Sequence, residues 1–177
     1  MSQSTFIPLN RKKMMLKAVL YFLAGLVVFS LIYYGGEKQD YVNTNVTKVL
    51  SVVVFGFFGI VGATFLKNAR DQNAGLYIDH KGIDDETTNI GIGMIPWKEI
   101  KAAQFKNEGR HYKLLFYVKK PEKVIEGGMN KAVQRLLERN KEDYQTPVVI
   151  DLSILITNKD EVMDALNEFS KQLEIRE

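Results

Sequence analysis

The 177-residue chain contains no cysteine. Disulfides and thiolate metal sites are therefore excluded. Histidine is almost missing: His80 and His111 are the only two, and both fall in expected turns. That setting reads as two exposed turn residues rather than a metal or base pair. Beyond residue 70 the serines are Ser153, in a strand pattern, and Ser170, in a helix pattern. Neither stands at a nucleophile elbow. The acidic run Asp84, Asp85, Glu86 lacks the spaced ligands and bend glycine of a calcium loop. Gly91-Ile-Gly93 continues into Met-Ile-Pro96, so it is not a dinucleotide-binding fingerprint. The sequence thus offers no catalytic residue, metal site or cofactor site, and the expectation is a non-enzymatic protein.

Charge is missing from two long runs, Ala18 to Tyr34 and Val49 to Leu66. The second, VLSVVVFGFFGIVGATFL, would extend roughly 27 Å as a helix, close to the ~30 Å hydrocarbon core of a bilayer. The first becomes comparable once Met14 to Lys17 are added, with Lys17 snorkelling to the headgroups. Neither run has the polar face of a buried soluble helix, and no cleavage site follows Tyr34. The expectation is an N-terminal arm over 1–13, transmembrane helices over 14–34 and 49–66, and an external loop over 35–48. Gly56, Gly59 and Ala63 fall on one side of the second span at i, i+3 and i+7. They are expected to pack the two spans together, with a dimer seam as the alternative. No Asp, Glu, His or Arg lies inside either run, so a transport path has no candidate residue.

The net charge of +3 divides unevenly: residues 1–70 carry +6 and residues 71–177 carry −3. Nucleic acid is not the implied partner. Arg11, Lys12, Lys13 and Lys17 precede the first span, and Lys67 and Arg70 follow the second. The positive-inside rule then puts both termini in the cytoplasm and the short loop outside.

Residues 75–177 read as one α+β domain. Short strands are expected over Gly75 to Asp79, from Ile83, around Ile90 to Met94, over Trp97 to Lys106, and over Tyr112 to Val118. Met129, Ala132, Val133, Leu136 and Leu137 form one helix face. Val148 to Ile156 alternates as strand, and Asn158 with Glu161 makes a capping box for a closing helix over 160–174. Leu166 and Phe169 of that helix are expected to plug one end of a bent antiparallel sheet. The lone Trp97, beside Pro96 and Ile100, reads as core.

The segments Gly75-Leu-Tyr-Ile-Asp79, Gly82-Ile83 and Ile95-Pro-Trp-Lys-Glu-Ile100 look like the openings of the early strands in bacterial pleckstrin-homology-like domains. With Val118-Lys-Lys-Pro-Glu-Lys-Val-Ile125, Thr146-Pro147 and the double span, their order resembles an uncharacterised family of small bacterial membrane proteins with two N-terminal spans and a domain of this kind. The resemblance implies architecture and a place in the inner membrane. It carries no catalytic residues.

Binding candidates are basic. Lys98, Lys101, Lys106, Arg110, Lys113, Lys119, Lys120 and Lys123 form one run, and Lys131, Arg135 and Arg139 form a helical stripe. Together with Lys67 and Arg70, these residues, above all Lys98, Lys101 and Lys113, are the expected contacts for anionic lipid or a protein partner. The function expected is a scaffold or sensor at the bilayer, with oligomerisation left open. The alternative is an accessory subunit of a membrane enzyme or transporter acting through its hairpin.

Overall fold

The computed structural model describes residues 4–36, 44–87, 92–109, 111–170 and 173–176. The chain divides into two compact units: Asn10–Asp71 is one, and Met1–Leu9 with Gln72–Glu177 is the other.

The first unit is a helical hairpin of α1 (Arg11–Gly36) and α2 (Thr44–Arg70). At about 1.5 Å per residue the helices are ~39 and ~40 Å long. Both are long and apolar enough to cross a membrane. They outrun the expected 14–34 and 49–66 because polar turns continue the backbone hydrogen-bond ladder. At the start of α1, Asn10 Oδ1 accepts the Lys13 N–H at 3.0 Å, an N-cap. Hydroxyls inside the helices bond backward to carbonyls, as with Ser51 to Lys48 (2.7 Å) and Thr64 to Ile60 (3.0 Å). Residues 37–43, half of the loop expected over 35–48, lie outside the described residues, as do Ile90, Gly91 and Arg110.

Aromatic rings fill the seam between the two helices. Tyr21 stacks on Phe65 with centroids 5.3 Å apart, and Phe29 meets Phe55 edge-on at 5.7 Å. The glycines in that seam are not the expected ones. A Cβ on Gly25 would lie 2.8 Å from Phe58 Cβ, and one on Gly62 would lie 3.0 Å from the Phe22 ring. Gly56 and Gly59 have open space around them, and Ala63 is exposed. The i, i+3, i+7 spacing groups those three correctly, but their side of α2 faces away from α1.

The second unit holds two four-stranded sheets. The first has order β1-β2-β3-β4, with β1 (Ser4–Pro8), β2 (Gly75–Asp79), β3 (Gly82–Asp85) and β4 (Gly93–Pro96), all antiparallel. The second has order β7-β6-β5-β8, with β5 (Ile100–Glu108), β6 (His111–Val118), β7 (Val148–Asp151) and β8 (Glu174–Arg176). Here β8 runs parallel to β5 and the other pairs are antiparallel. Helices α3 (Pro121–Glu126) and α4 (Lys131–Tyr144) lie between β6 and β7, and α5 (Lys159–Phe169) precedes β8. The core holds Leu76, Ile78, Ile83, Leu114, Phe116, Val148, Ile150, Val162 and Leu166, all 1% exposed or less.

Several expectations change here. There are two sheets rather than one bent sheet, and they do not close. The N-terminal stretch is not a loose arm: Ser4–Pro8 pairs with β2 in the register Pro8↔Gly75 to Ser4↔Asp79. Its alternation is too short to register as a period, yet Ile7 and Leu9 are buried, and Phe6 stacks on Tyr77 at 4.5 Å. The hairpin is therefore an insertion between two paired strands. The closing helix ends at Phe169, not 174, where Ser170 Oγ donates to the Leu166 carbonyl at 2.7 Å and the chain turns into β8. Leu166 is buried as expected, but Phe169 is only half-buried. Met129 stands outside α4 and is exposed, because Asn130 caps that helix by accepting from Ala132 and Val133 N–H. The capping box of α5 is half-formed: Asn158 accepts the Glu161 N–H, while Glu161 accepts the Thr157 hydroxyl.

Two glycines in the motifs have a steric reason. A Cβ on Gly75 would lie 2.5 Å from the Ile7 carbonyl oxygen, and one on Gly82 would lie 2.0 Å from that of Ile95. Any side chain there forces paired strands apart.

Candidate functional site

A cleft of about 870 Å³ opens within the second unit, lined by His80, Trp97, Lys98, Ile100, Lys101, Lys119, Glu168, Phe169, Ser170 and Leu173. Backbone geometry brings these distant residues together. Asp79 ends β2, and its Oδ1 accepts the N–H groups of Lys81 (2.7 Å) and Gly82 (3.1 Å), which shapes the turn carrying His80. The Asp79 carbonyl accepts the Trp97 indole N–H at 2.7 Å, and the Trp97 backbone N–H donates to Lys81 at 3.1 Å. Trp97 opens a 3-10 turn (Trp97–Glu99) between β4 and β5. The Lys119 N–H donates to the Glu99 carbonyl at 2.8 Å, which fixes the end of β6 beside that turn. The end of α5 supplies Phe169 and Ser170.

Trp97 is thus anchored by its nitrogen yet only half-buried, and it forms part of a cleft wall rather than the core centre. Phe169 is also half-buried, and among the described residues neither ring stacks on another aromatic ring. Lys98, Lys101 and Lys119 are exposed and have no ion pair among the described residues. Glu168 is the one carboxylate on the wall among the described residues. The arrangement is an aromatic and aliphatic floor ringed, among the described residues, by three lysines, with a volume in the range of small-ligand clefts.

The structure splits the expected basic run. Lys98 and Lys101 line this cleft together with Lys119. Lys113 does not: it pairs with Glu108 at 2.6 Å and donates to the Tyr144 hydroxyl. Lys106 and Lys113 sit over the Tyr144 ring at 4.7 and 4.6 Å. The Lys113 and Tyr144 hydrogen bonds hold the Glu108 carboxyl below its usual range. For Lys113, partial burial pulls downward, but the bonds to Glu108 and Tyr144 prevail and its net shift is upward. Lys120 and Lys123 border a separate apolar cavity of about 200 Å³ under α3 and α4. Lys131, Arg135 and Arg139 form an exposed stripe on α4, with Arg139 3.8 Å from Asp143. Lys67 and Arg70 occupy the last turn of α2, where cations complement the helix dipole.

Sequence reading named Lys119 in the basic run without grouping it with Lys98 and Lys101, and it missed Phe169 as a cleft residue and the cleft face of Trp97. Lys119 could have been placed beside Lys98 from the pairing of β5 with β6. Phe169 could not, because the end of α5 is set by tertiary packing. Among the described residues no group of three or more metal-binding side chains converges. His80 is exposed in its turn, and His111, expected in a turn, begins β6. Asp85 is buried, with Oδ1 accepting from the Thr87 N–H (3.0 Å) and hydroxyl (2.6 Å). Burial pushes its carboxyl up, the Thr87 bonds pull it down, and the nearby Asp84 pushes it up, with a net upward shift.

The chain is thus a sheet domain of two four-stranded layers carrying an inserted hairpin of two apolar helices. Comparison with protein-family models, with curated proteins and with solved structures finds no match.

Proposed function

We propose that the chain is a non-enzymatic integral membrane protein that presents a pleckstrin-homology-like domain at the inner face of a bacterial cell membrane. It serves as a scaffold or sensor for an anionic partner held at the Trp97 cleft. A four-stranded antiparallel layer, then the antiparallel β5-β6-β7 layer, then α5 supports that fold reading, with the hairpin set between the first two strands. The pairing of β1 with β2 supports the topology: a sheet with unsatisfied edges does not straddle hydrocarbon, so both ends of the hairpin share one side. The lysines and arginines flanking the spans support the cytoplasm as that side. Lys67, Arg70 and the stripe Lys131, Arg135 and Arg139 add attraction to an anionic leaflet.

The observation that carries the ligand reading is the trio Lys98, Lys101 and Lys119, without acidic partners, around an anchored tryptophan. The chain has one Trp, so its fluorescence reports on this cleft alone. Inorganic pyrophosphate added at low salt to the full chain in uncharged detergent should change Trp97 emission saturably. The change should fade at high salt, where exposed charges are screened. It should vanish when all three lysines become Gln. No change at low salt, or an equal change in the triple variant, refutes the reading.

A further inference from the structure

The geometry points to a phosphorylated small molecule bearing a flat ring, of the nucleoside phosphate class, as the occupant of the Trp97 cleft; this rests on the anionic reading above and narrows it. Charge alone would be served by lysines on an open surface. Here the lysines border a concavity whose apolar wall is Trp97, Ile100, Phe169 and Leu173, with His80, Glu168 and Ser170 completing the lining. Trp97 is held by its indole N–H, so its ring does not reorient to suit a ligand. A pre-fixed aromatic surface favours a flat, rigid partner, because little ordering entropy remains to be lost. Phe169 offers a second ring without an aromatic neighbour among the described residues. Glu168, the acid on a basic wall, repels phosphate but accepts from the N–H or hydroxyl groups of a nucleoside.

The experiment uses the full chain in uncharged detergent at low salt, with Trp97 emission as readout and ADP, pyrophosphate, adenosine and a short-chain phosphatidylglycerol below its micelle concentration as probes. ADP should bind roughly tenfold or more tighter than either pyrophosphate or adenosine, the scale of one base stacked on an aromatic side chain. Phe169→Ala should weaken ADP more than pyrophosphate and bring the two to one level, with a cooperative thermal melt showing that the variant is folded; an equal loss for both probes counts against a stacked base. ADP binding no tighter than pyrophosphate overturns the inference and leaves an anion cleft. Tighter binding of phosphatidylglycerol than of ADP overturns it in favour of a lipid. No response to any probe removes both the inference and the reading beneath it.

Discussion

If the hairpin is an insertion into a β-hairpin, it can be replaced by the simplest turn that joins two antiparallel strands. The Leu9 N–H donates to the Ala74 carbonyl at 3.0 Å, directly beyond the Pro8↔Gly75 pair. Replacing residues 10–73 by Asn-Gly makes a two-residue connection of the type that matches strand twist. The shortened chain should be soluble and fold cooperatively. The same chain begun at Ala74, without β1, should not. Ile7 and Leu9 are 5% and 1% exposed, and burying such side chains contributes about 1.5–3 kcal/mol each. Their loss alone removes about 3–6 kcal/mol, and the β1–β2 backbone bonds go with them. A domain of this size is stable by only ~5–15 kcal/mol. Urea denaturation followed by far-UV circular dichroism distinguishes the two chains. A cooperative transition with an unchanged midpoint in the chain lacking β1 would refute the insertion.

The absence of cysteine makes a test of topology simple to read, and two further tests use melting temperature. A single cysteine replacing Gln39 should react with an impermeant maleimide from outside intact cells, whereas one replacing the exposed Ile156 should react only after lysis; the reverse pattern refutes the topology. Gly62→Leu should lower the melting temperature of the full chain in detergent because its side chain meets Phe22, and Gly56→Leu should leave it unchanged. Equal effects would mean that the seam is misassigned. Asp85 has a folded pKa above its ordinary 3.8, so it costs stability progressively as pH rises through that value. Asp85→Asn, whose side-chain oxygen still accepts from Thr87, should therefore raise the melting temperature at neutral pH and not near pH ~3. A gain of equal size at both ends contradicts the burial account.

The two apolar helices were legible because lack of charge over a bilayer's thickness is a one-dimensional signal. Strands β2, β3, β5 and β6 were legible from alternation and from turn glycines such as Gly82, whereas β4, expected around Ile90 to Met94, runs Gly93–Pro96. Strand β1 was not, since five residues carry too little pattern and its partner lies far along the chain. The division into two sheets was hidden because it happens at the three-residue turn of Trp97–Glu99, which still reads as the start of a strand. The glycine stripe was correctly grouped but assigned to the wrong neighbour, because period tells which residues share a face and not what that face meets. In the site, Lys98 and Lys101 were visible as charges. Whether a lysine is free, like Lys101, or paired, like Lys113 with Glu108, depends on cross-strand register.

The pairing of Pro8 with Gly75 also has a consequence for biogenesis. β1 leaves the ribosome first, and its partner follows 67 residues later, about 3–13 s at 5–20 residues per second. During that interval β1 has no sheet to join, and the intervening chain is delivering both helices. Where those helices cross a bilayer, β2 meets β1 only if both have inserted and returned the chain to the starting side. A chain with one span inserted strands the two halves of the sheet on opposite faces and leaves Leu76 and Ile78 uncovered, open to proteolysis. Folding of the domain then acts as a checkpoint on insertion, with the first strand as the register mark against which the finished span pair is read.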